Sequence, residues 1–145
     1  MITLKAIAIR TTSRAPMQLR DDAEVTFDEG ISEDFRGSQK GRQITVLSET
    51  AWHKACATLD ANLPWTRRRA NLLVKGIEFG AGDIGKTMRI GEVELQITHE
   101  TKPCSLMDQL HQGLKSALSP DWHGGVCCDV IVAGSIQIGD PVEVV

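Results

Sequence analysis

The sequence predicts a mainly β fold (α+β by content), a small antiparallel β-barrel with about two inserted helices. Many short segments are rich in β-branched residues, a composition that favours strands. Glycine-containing turns separate these segments, and only two stretches have helical periodicity. Numerous short strands with frequent turn signals are typical of barrels and related all-β folds. The 145 residues have the length of one domain, so we expect a single domain over residues 1–145.

The predicted strands follow from alternation and β-branched composition. Residues 92–98 give the clearest pattern, because Val93, Leu95 and Ile97 alternate with polar residues, as in a half-buried antiparallel strand. The polar stretch 30–41 lacks periodicity and is predicted to be a functional or mobile loop. The other predicted strands are residues 1–10, 23–27, 42–47, 70–74, 86–90, 125–132, 135–138 and 142–145.

Two helices are predicted between the strands. Ser48 is suited to cap a helix over residues 49–59, with the acidic Glu49 in its first turn. A second helix is predicted over residues 105–118, ended by Ser119-Pro120 and started by a capping box at Ser105 and Asp108. Its apolar stripe consists of leucines at every fourth position, Leu106, Leu110, Leu114 and Leu118.

The composition excludes several classes of protein. The formal net charge is −3 and aromatic residues make up 4% of the chain, which argues against general nucleic-acid binding. No apolar run approaches the ~20 residues needed to span a bilayer. The first residues, Met1–Ile7, resemble a strand rather than a signal peptide. We therefore expect a cytoplasmic protein without a membrane partner.

Charge is unevenly distributed along the chain. Residues 21–34 contain many acidic side chains and no basic one, whereas Arg36, Lys40, Arg42 and Arg67–Arg69 follow. These cations are consistent with a local anion site or with a solvated charged surface. If residues 70–74 form a strand and Arg69 enters it, Asn71 lies on the same face. A guanidinium and an amide there would suit a phosphate or carboxylate, although strand-edge solubility is the alternative.

The four cysteines show no metal-binding or redox spacing, so all are expected to be reduced thiols. Cys56 lies on the apolar face of the first predicted helix and is expected in the core. Cys128 shares strand parity with Val126 and Val130, which also places it in the core. The parity of Cys127 is opposite, and its environment stays open.

Cys104 has a different setting, because it lies where a strand passes into a helix. The helix dipole and Lys102 should together lower the pKa of this thiol below about 8.5. Pro103 restricts the approach of the chain. A thiolate can attack electrophiles, carry a persulfide or bind a soft metal, and the alternative is a buried, unreactive capping residue. His99 could be a base, a ligand or a surface residue.

Several segments together resemble the MOSC domain, which is found at the C-terminus of molybdenum cofactor sulfurases and in small free-standing bacterial proteins. The resemblance covers nearly the whole chain and depends on the order and spacing of motifs that are weak alone. These segments are Gly41–Ser48, Arg68–Leu72, Gly82–Gly85 with Met88–Gly91, Lys102–Cys104, Gly124–Val126 and Ile138–Val142.

The resemblance implies a β-barrel and roles for particular residues. Cys104 matches the family's characteristic cysteine, which is thought to carry sulfur or to ligate molybdenum in a pterin cofactor. Arg69 and Asn71 match an Arg-x-Asn segment; in relatives that bind the cofactor, arginines and polar side chains hold its phosphate and pterin. Arg36 lies where relatives often have a Gly-Asp-Arg-His-like motif, but residues 33–37 read Glu-Asp-Phe-Arg-Gly, without the histidine.

We therefore expect a sulfur-carrier or molybdenum-cofactor-binding domain, with a sulfurtransferase-type or molybdenum-dependent accessory role. Cys104 is the candidate catalytic residue and metal ligand, and the candidate cofactor-binding residues are Arg69, Asn71, Arg36, Arg42, Lys102 and Thr101. The resemblance further implies a partner, either a pyridoxal-phosphate-linked cysteine desulfurase-type sulfur donor or a redox protein, because the domains that supply sulfur or electrons in larger relatives are expected to be absent. The alternatives are a molybdenum-dependent reductase component acting on N-hydroxylated compounds and a non-catalytic interaction module.

Overall fold

The computed structural model describes residues 1–145 and is mainly β. The strands are β1 (Thr3–Ile9), β2 (Gln18–Arg20), β3 (Asp22–Thr26), β4 (Gly30–Ile31), β5 (Ile44–Ser48), β6 (Leu72–Lys75), β7 (Thr87–Ile90), β8 (Val93–Glu100), β9 (Val126–Val132), β10 (Gly134–Gln137) and β11 (Val142–Val144). The α-helices are α1 (Glu49–Thr58), α2 (Ser105–Leu110) and α3 (Leu114–Leu118). Short 3₁₀ helices cover Trp65–Arg68, Ala81–Asp83 and Pro120–Trp122.

Eight strands form one sheet in the order β11-β7-β8-β9-β5-β6-β1-β2, and a second sheet has the order β10-β3-β4. The prediction of a purely antiparallel sheet is wrong, because β5 and β6 are parallel. Helix α1 and the 3₁₀ helix at Trp65–Arg68 lie between these two strands in the chain. Such a crossover is what parallel neighbours require, since a tight turn would reverse the strand direction.

Regular pairing in the large sheet runs from β11 at one end to β2 at the other. The start of β1 does lie beside the start of β11, through an isolated bridge between Thr3 and Pro141. The Leu4 amide also donates to the Asp140 carbonyl oxygen at 2.9 Å. The structure therefore confirms the mainly β fold, while the closed barrel is not confirmed.

Two apolar clusters lie on opposite sides of the sheet strands, as alternation predicts. The larger contains Val93, Leu95 and Ile97 of β8 together with Cys128, which confirms the predicted inward face of that strand. The smaller packs α1, α2 and α3 against the sheet and includes Trp52 and Cys56. None of the helices combines the length and the apolar composition that a membrane-spanning helix requires.

The first predicted helix is confirmed, since the Ala51 amide donates to Ser48 Oγ at 3.1 Å. The second is wrong in its continuity, because it is divided into α2 and α3. His111 is extended, with φ −161° and ψ 124°, and Gly113 has φ 88°, a left-handed conformation that interrupts a helix and suits glycine. Leu114 and Leu118 are nevertheless buried in the smaller cluster, with Leu106 and Leu110 packed against it.

The predicted capping box is also wrong. Cys104, not Ser105, is the N-terminal capping residue of α2, and no side chain caps that end. Asp108 Oδ1 instead accepts a hydrogen bond from the Lys115 amide at 3.0 Å, in the first turn of α3. The helix break places this amide within reach of Asp108, so the carboxylate satisfies a free N–H of the following helix.

Most predicted strands are present with shifted ends. The segment predicted at 70–74 begins only at Leu72, because Arg69 has φ 65° and follows a 3₁₀ helix. The prediction that Arg69 and Asn71 share one face of a strand is therefore wrong. Strand β2 was not predicted, and the expected loop 30–41 begins with the short strand β4.

Candidate functional site

Cys104 lies at the junction that the sequence predicts, four residues after the end of β8 and immediately before α2. The Thr101 amide donates to the Gly125 carbonyl oxygen at 2.9 Å, and the Met107 amide donates to the Cys104 carbonyl oxygen at 2.9 Å. The connection is therefore tied down on both sides of the cysteine. Cys104 is exposed, whereas the other three cysteines are buried, so the alternative of a buried capping residue is wrong.

Beside Cys104 lies a cleft with two adjoining lobes, of about 230 and about 40 Å³, which share Arg10, Arg36, Arg42, Thr45 and Arg69 as lining residues. The larger lobe contains Cys104 and Met107, and the smaller contains Asp34 and Asn71. We call this the arginine cleft, after the cations that line it: Arg10, Arg36, Arg42, Arg68 and Arg69, with Lys102 in the larger lobe. All seven residues predicted for the site line one lobe or the other.

None of these cations forms an ion pair with a carboxylate, since the ion pairs of the chain involve other residues. Asp34 is the only acidic residue that lines either lobe. The protein carries a net negative charge, yet the cleft concentrates positive charge. Clustered cations in a concave site attract anions, so the cleft is suited to an anionic group.

Protein contacts fix several of the guanidinium groups. Arg69 Nη2 donates to the Ala15 carbonyl oxygen at 2.6 Å, and Arg36 Nη1 donates to Gln39 Oε1 at 3.2 Å. Arg10 and Arg36 lie over the Phe35 ring at 5.7 and 5.8 Å from its centroid, within the range of cation–π attraction. The cleft is thus largely built before any ligand arrives.

Two of the arginines that line the cleft each have a donor without a protein acceptor. The Nε atoms of Arg42 and Arg69 are buried and make no hydrogen bond. An unsatisfied buried donor costs about 1–3 kcal/mol. An anionic oxygen that accepts from these Nε atoms would remove that cost.

The pKa values of the cleft residues reflect burial and crowding of charge. The pKa of Arg10 is lowered by burial first, and then by the positive charges of Arg69 and Arg36. Burial alone lowers the pKa of Arg69. Burial also raises the pKa of Asp34, although the backbone N–H groups of Arg10 and Arg36 donate to its carboxylate and oppose that rise. The cations therefore repel one another in the absence of an anion.

Arg68 is a site residue that the sequence did not reveal. Its side chain is buried, and Nε donates to the Gly124 carbonyl oxygen at 2.9 Å while Nη2 donates to the Thr101 carbonyl oxygen at 2.8 Å. Burial lowers the pKa of Arg68 to about 10, and the charge of Cys104 is the largest effect that opposes this. Arg68 stays protonated at neutral pH. Within an arginine triplet, nothing in the sequence indicates which member is buried.

Two predicted binding residues have their polar groups engaged by the protein. Thr101 Oγ1 lies 3.2 Å from the buried Cys127 sulfur, and the Thr101 carbonyl oxygen accepts from Arg68. Asn71 Nδ2 donates to the Ala8 carbonyl oxygen at 3.3 Å. Lys102, in contrast, is exposed at the rim of the cleft. These contacts make Thr101 and Asn71 parts of the cleft wall.

The remaining cysteines and His99 lie outside the cleft. Burial raises the pKa of the Cys128 thiol, as expected for the predicted core position. Cys56 is also buried, which confirms its prediction. His99 is exposed, with Nδ1 3.0 Å from Thr98 Oγ1. No group of three or more His, Cys, Asp or Glu side chains is arranged to hold a metal ion.

The fold and the site together define a small, mainly β protein with an exposed cysteine at the edge of an arginine-lined cleft. Residues 32–143 match the family model of the MOSC domain. The chain therefore belongs to the MOSC domain family, which confirms the resemblance seen in the sequence. No curated protein matches the chain significantly.

Solved structures with the same fold include YuaD from Bacillus subtilis, with a TM-score of 0.83 and 19% identity over 99% of this chain and 96% of that one. YiiM from Geobacillus stearothermophilus has a TM-score of 0.77 and 16% identity, covering 100% of this chain and 75% of that one. YiiM from Escherichia coli has a TM-score of 0.72 and 16% identity, covering 99% and 69%. At these identities the likeness shows the fold alone.

Proposed function

We propose that this chain is a sulfur-carrier or molybdenum-cofactor-binding domain in which Cys104 supplies the reactive sulfur. The arginine cleft would hold the anionic part of the ligand. One observation carries the proposal: the single exposed cysteine lines a cleft whose cations form no ion pairs. The thiolate of a cysteine is its nucleophilic and metal-ligating form.

As a sulfur carrier, the Cys104 thiolate attacks the outer sulfur of a donor persulfide, R–S–SH. The bond between the two donor sulfurs breaks, R–S⁻ leaves, and Cys104 becomes Cys–S–SH. The transferred sulfur keeps its proton and its oxidation state, so the step requires no oxidant or reductant. The donor class is a persulfide on a pyridoxal-phosphate-dependent, cysteine desulfurase-type protein.

The arginine cleft also fits the anionic end of a molybdenum cofactor. A phosphate oxygen would accept from the unpartnered Nε atoms of Arg42 and Arg69. Arg36 would hold another phosphate oxygen, and Lys102 would add charge at the rim. A cysteine thiolate suits a soft metal centre. The cleft volume of about 230 Å³ lies below the roughly 300–1,000 Å³ of sites that enclose a whole drug-sized ligand, so the remainder of the cofactor would lie outside.

In this second form, the protein's own residues bind and orient. Arg36, Arg42 and Arg69 would hold the phosphate, Thr101 and Asn71 would fix the walls, and Cys104 would ligate the metal. The cofactor, when bound, supplies two-electron redox chemistry at molybdenum.

Intact-protein mass spectrometry tests the sulfur-carrier form. The protein is incubated with a cysteine desulfurase and free cysteine, separated, and measured without reductant. We expect a gain of about 32 Da, distinguished from dioxygenation by accurate mass. Peptide mapping should place it on Cys104. The Cys104→Ser variant should gain nothing, whereas the matched Cys56→Ser variant should behave as the wild type.

Metal analysis tests the cofactor form on protein produced in a host that makes the molybdenum cofactor. Molybdenum should copurify with the wild type and with Cys56→Ser, and should be lost from Cys104→Ser. Uptake of sulfur or molybdenum through Cys104 supports the proposal. If Cys104 acquires neither, the proposal is overturned.

A further inference from the structure

Arg68 is a buried cation that contacts the polypeptide on both sides of Cys104. The residue is 7% exposed. Its guanidinium donates to the carbonyl oxygens of Thr101 and Gly124 at 2.8 and 2.9 Å, and Nη1 lies 3.7 Å from Met107 Sδ. Thr101 precedes Cys104 by three residues and Met107 follows it by three. One side chain therefore spans the cysteine-bearing segment.

These contacts join three elements that meet at Cys104. Thr101 follows the end of β8, Met107 lies in the first turn of α2, and Gly124 lies two residues before β9. The Met107 amide also donates to the Cys104 carbonyl oxygen at 2.9 Å, so the position of Met107 is coupled to that of Cys104. Moving the guanidinium would release all three attachments together.

The close packing at Gly124 shows that this arrangement is built into the fold. A Cβ atom on Gly124 would lie 2.5 Å from the Thr101 carbonyl oxygen and 3.3 Å from Arg68 Nη2. Only glycine allows the carbonyl groups and the guanidinium to approach so closely. The planar fork of arginine can reach several acceptors at once, which the single ammonium of lysine cannot reproduce.

Stability alone is a poor explanation for Arg68. A buried cation without a carboxylate partner has a large desolvation cost, and apolar residues of similar volume are often as stable or more so. The neighbouring Arg67 avoids this desolvation cost, because its side chain is exposed. Its Nη1 still donates to the Leu110 carbonyl oxygen at 3.1 Å. The buried arginine therefore needs a role that depends on its several hydrogen bonds.

We propose that Arg68 is the positioning residue of Cys104, holding residues 101–107 so that the cysteine sulfur opens into the arginine cleft. This inference rests on the proposed function of Cys104 and adds a residue to it. Arg68 acts through the backbone of the Cys104 segment and need not touch the ligand.

Alkylation with two reagents of different charge tests this role. The cleft cations should attract iodoacetate, an anion, more than the neutral iodoacetamide, if the sulfur opens into the cleft. The measured quantity is the ratio of the two rates at Cys104, divided by the same ratio in the unfolded protein. We expect this normalised ratio to fall about fivefold or more in Arg68→Met. In Arg67→Met, which also removes one positive charge, it should stay within about 1.5-fold of wild type.

Arg68→Lys separates position from charge, because it keeps the cation and loses the fork. We expect its ratio to fall as it does in Arg68→Met; a wild-type ratio in a folded Arg68→Lys protein would overturn the positioning role. Near-UV circular dichroism shows whether each variant is folded, and if Arg68→Met is not folded, Arg68→Lys decides alone.

Sulfur uptake by the wild type is measured on the same protein preparation that is used for alkylation. If uptake fails while the ratio still responds to Arg68, the proposed function is wrong and the positioning role remains.

Discussion

Asn71 and Thr45 are joined through both backbone and side chain in the wall of the arginine cleft. Asn71 Oδ1 accepts from the backbone N–H of Thr45 at 3.0 Å and from Thr45 Oγ1 at 3.2 Å. The backbone N–H of Asn71 donates to the Thr45 carbonyl oxygen at 3.0 Å. The regular pairing of β5 with β6 begins only at Val46 and Leu72. The asparagine therefore extends this parallel pairing by one residue into the site.

We predict that Asn71→Ala destabilises the protein. The substitution leaves the Thr45 amide and the Ala8 carbonyl oxygen without their partner, and each unsatisfied buried group costs about 1–3 kcal/mol. The free energy of unfolding, measured by urea denaturation, should fall by at least about 1 kcal/mol. The exposed Asn62→Ala is the matched control and should change it by less than about 0.5 kcal/mol. Equal free energies of unfolding for the two variants would contradict a structural role for the side-chain amide of Asn71.

We predict that inorganic phosphate stabilises the wild type and that Arg36→Gln weakens this effect. A ligand that binds only the folded state adds about 2.7 kcal/mol at about 100 times its Kd. The charge of Arg36 lowers the pKa of Arg10, which shows that the two cations repel each other. Without phosphate and at low ionic strength, Arg36→Gln should therefore have a Tm no lower than wild type, whereas its phosphate-induced rise in Tm should be smaller.

The control for the phosphate prediction is Arg67→Gln, which makes the same change in charge at a residue that does not line the cleft. Its phosphate-induced rise in Tm should match the wild type. Added sodium chloride should diminish the response of the wild type, because salt screens charges. If Arg67→Gln loses as much of the phosphate response as Arg36→Gln does, the response comes from net charge and not from the cleft.

The elements that the sequence predicted well depend on local patterns. The alternation in β8 and the Ser48 cap of α1 each depend on a few residues that are close together in the sequence, and the structure has both. The parallel pairing of β5 with β6 and the break between α2 and α3 depend on contacts between distant segments. In particular, a Cβ atom on Gly113 would lie 2.9 Å from Leu59 Cδ2, a tertiary contact that no local periodicity can reveal. Local patterns therefore give the elements but not their connections.

The site was partly predictable for a related reason. Cys104 stands out locally because it lies between a proline and a helix start, and family resemblance adds Arg69 and Arg36. Arg10 lies at the end of β1, more than twenty residues from any other cation of the cleft. Only the fold brings it to Arg36 and Arg69. The choice of Arg68 over Arg67 as the buried member depends on a 3₁₀ turn that the sequence did not predict.

We predict that Asp34 makes the protein less stable as pH rises above the ordinary carboxyl pKa of 3.8. Burial raises the pKa of Asp34 in the folded protein, so above pH 3.8 the unfolded chain loses this proton first. The unfolded state then binds fewer protons than the folded state, and stability falls with pH until the folded carboxyl is also ionised. Above the folded pKa the loss is complete and constant.

Asp34→Asn provides the comparison, because the amide does not titrate. The substitution also changes two backbone hydrogen bonds, whose opposing effect on the pKa of Asp34 is already contained in the net rise. The free energy of unfolding of the wild type minus that of Asp34→Asn should therefore decrease from about pH 4 upward and then level off. An increase over the same range would mean that attraction to the cleft arginines outweighs burial.

We predict that Gly124→Ala disturbs the Cys104 segment although it adds one methyl group. The new Cβ would lie 2.5 Å from the Thr101 carbonyl oxygen and 3.4 Å from Pro103 Cδ, so the residues leading to Cys104 must move. Overpacking of this kind costs about 1–3 kcal/mol. The rate of Cys104 alkylation by iodoacetate should fall together with the free energy of unfolding.

Gly82→Ala is the matched control, because a Cβ there meets nothing within 4 Å. Both the alkylation rate and the free energy of unfolding should stay close to wild type in this variant. If the alkylation rate of Gly124→Ala is unchanged, the sulfur keeps its position when the Thr101 carbonyl oxygen is displaced. That result would contradict the positioning of Cys104 through Thr101.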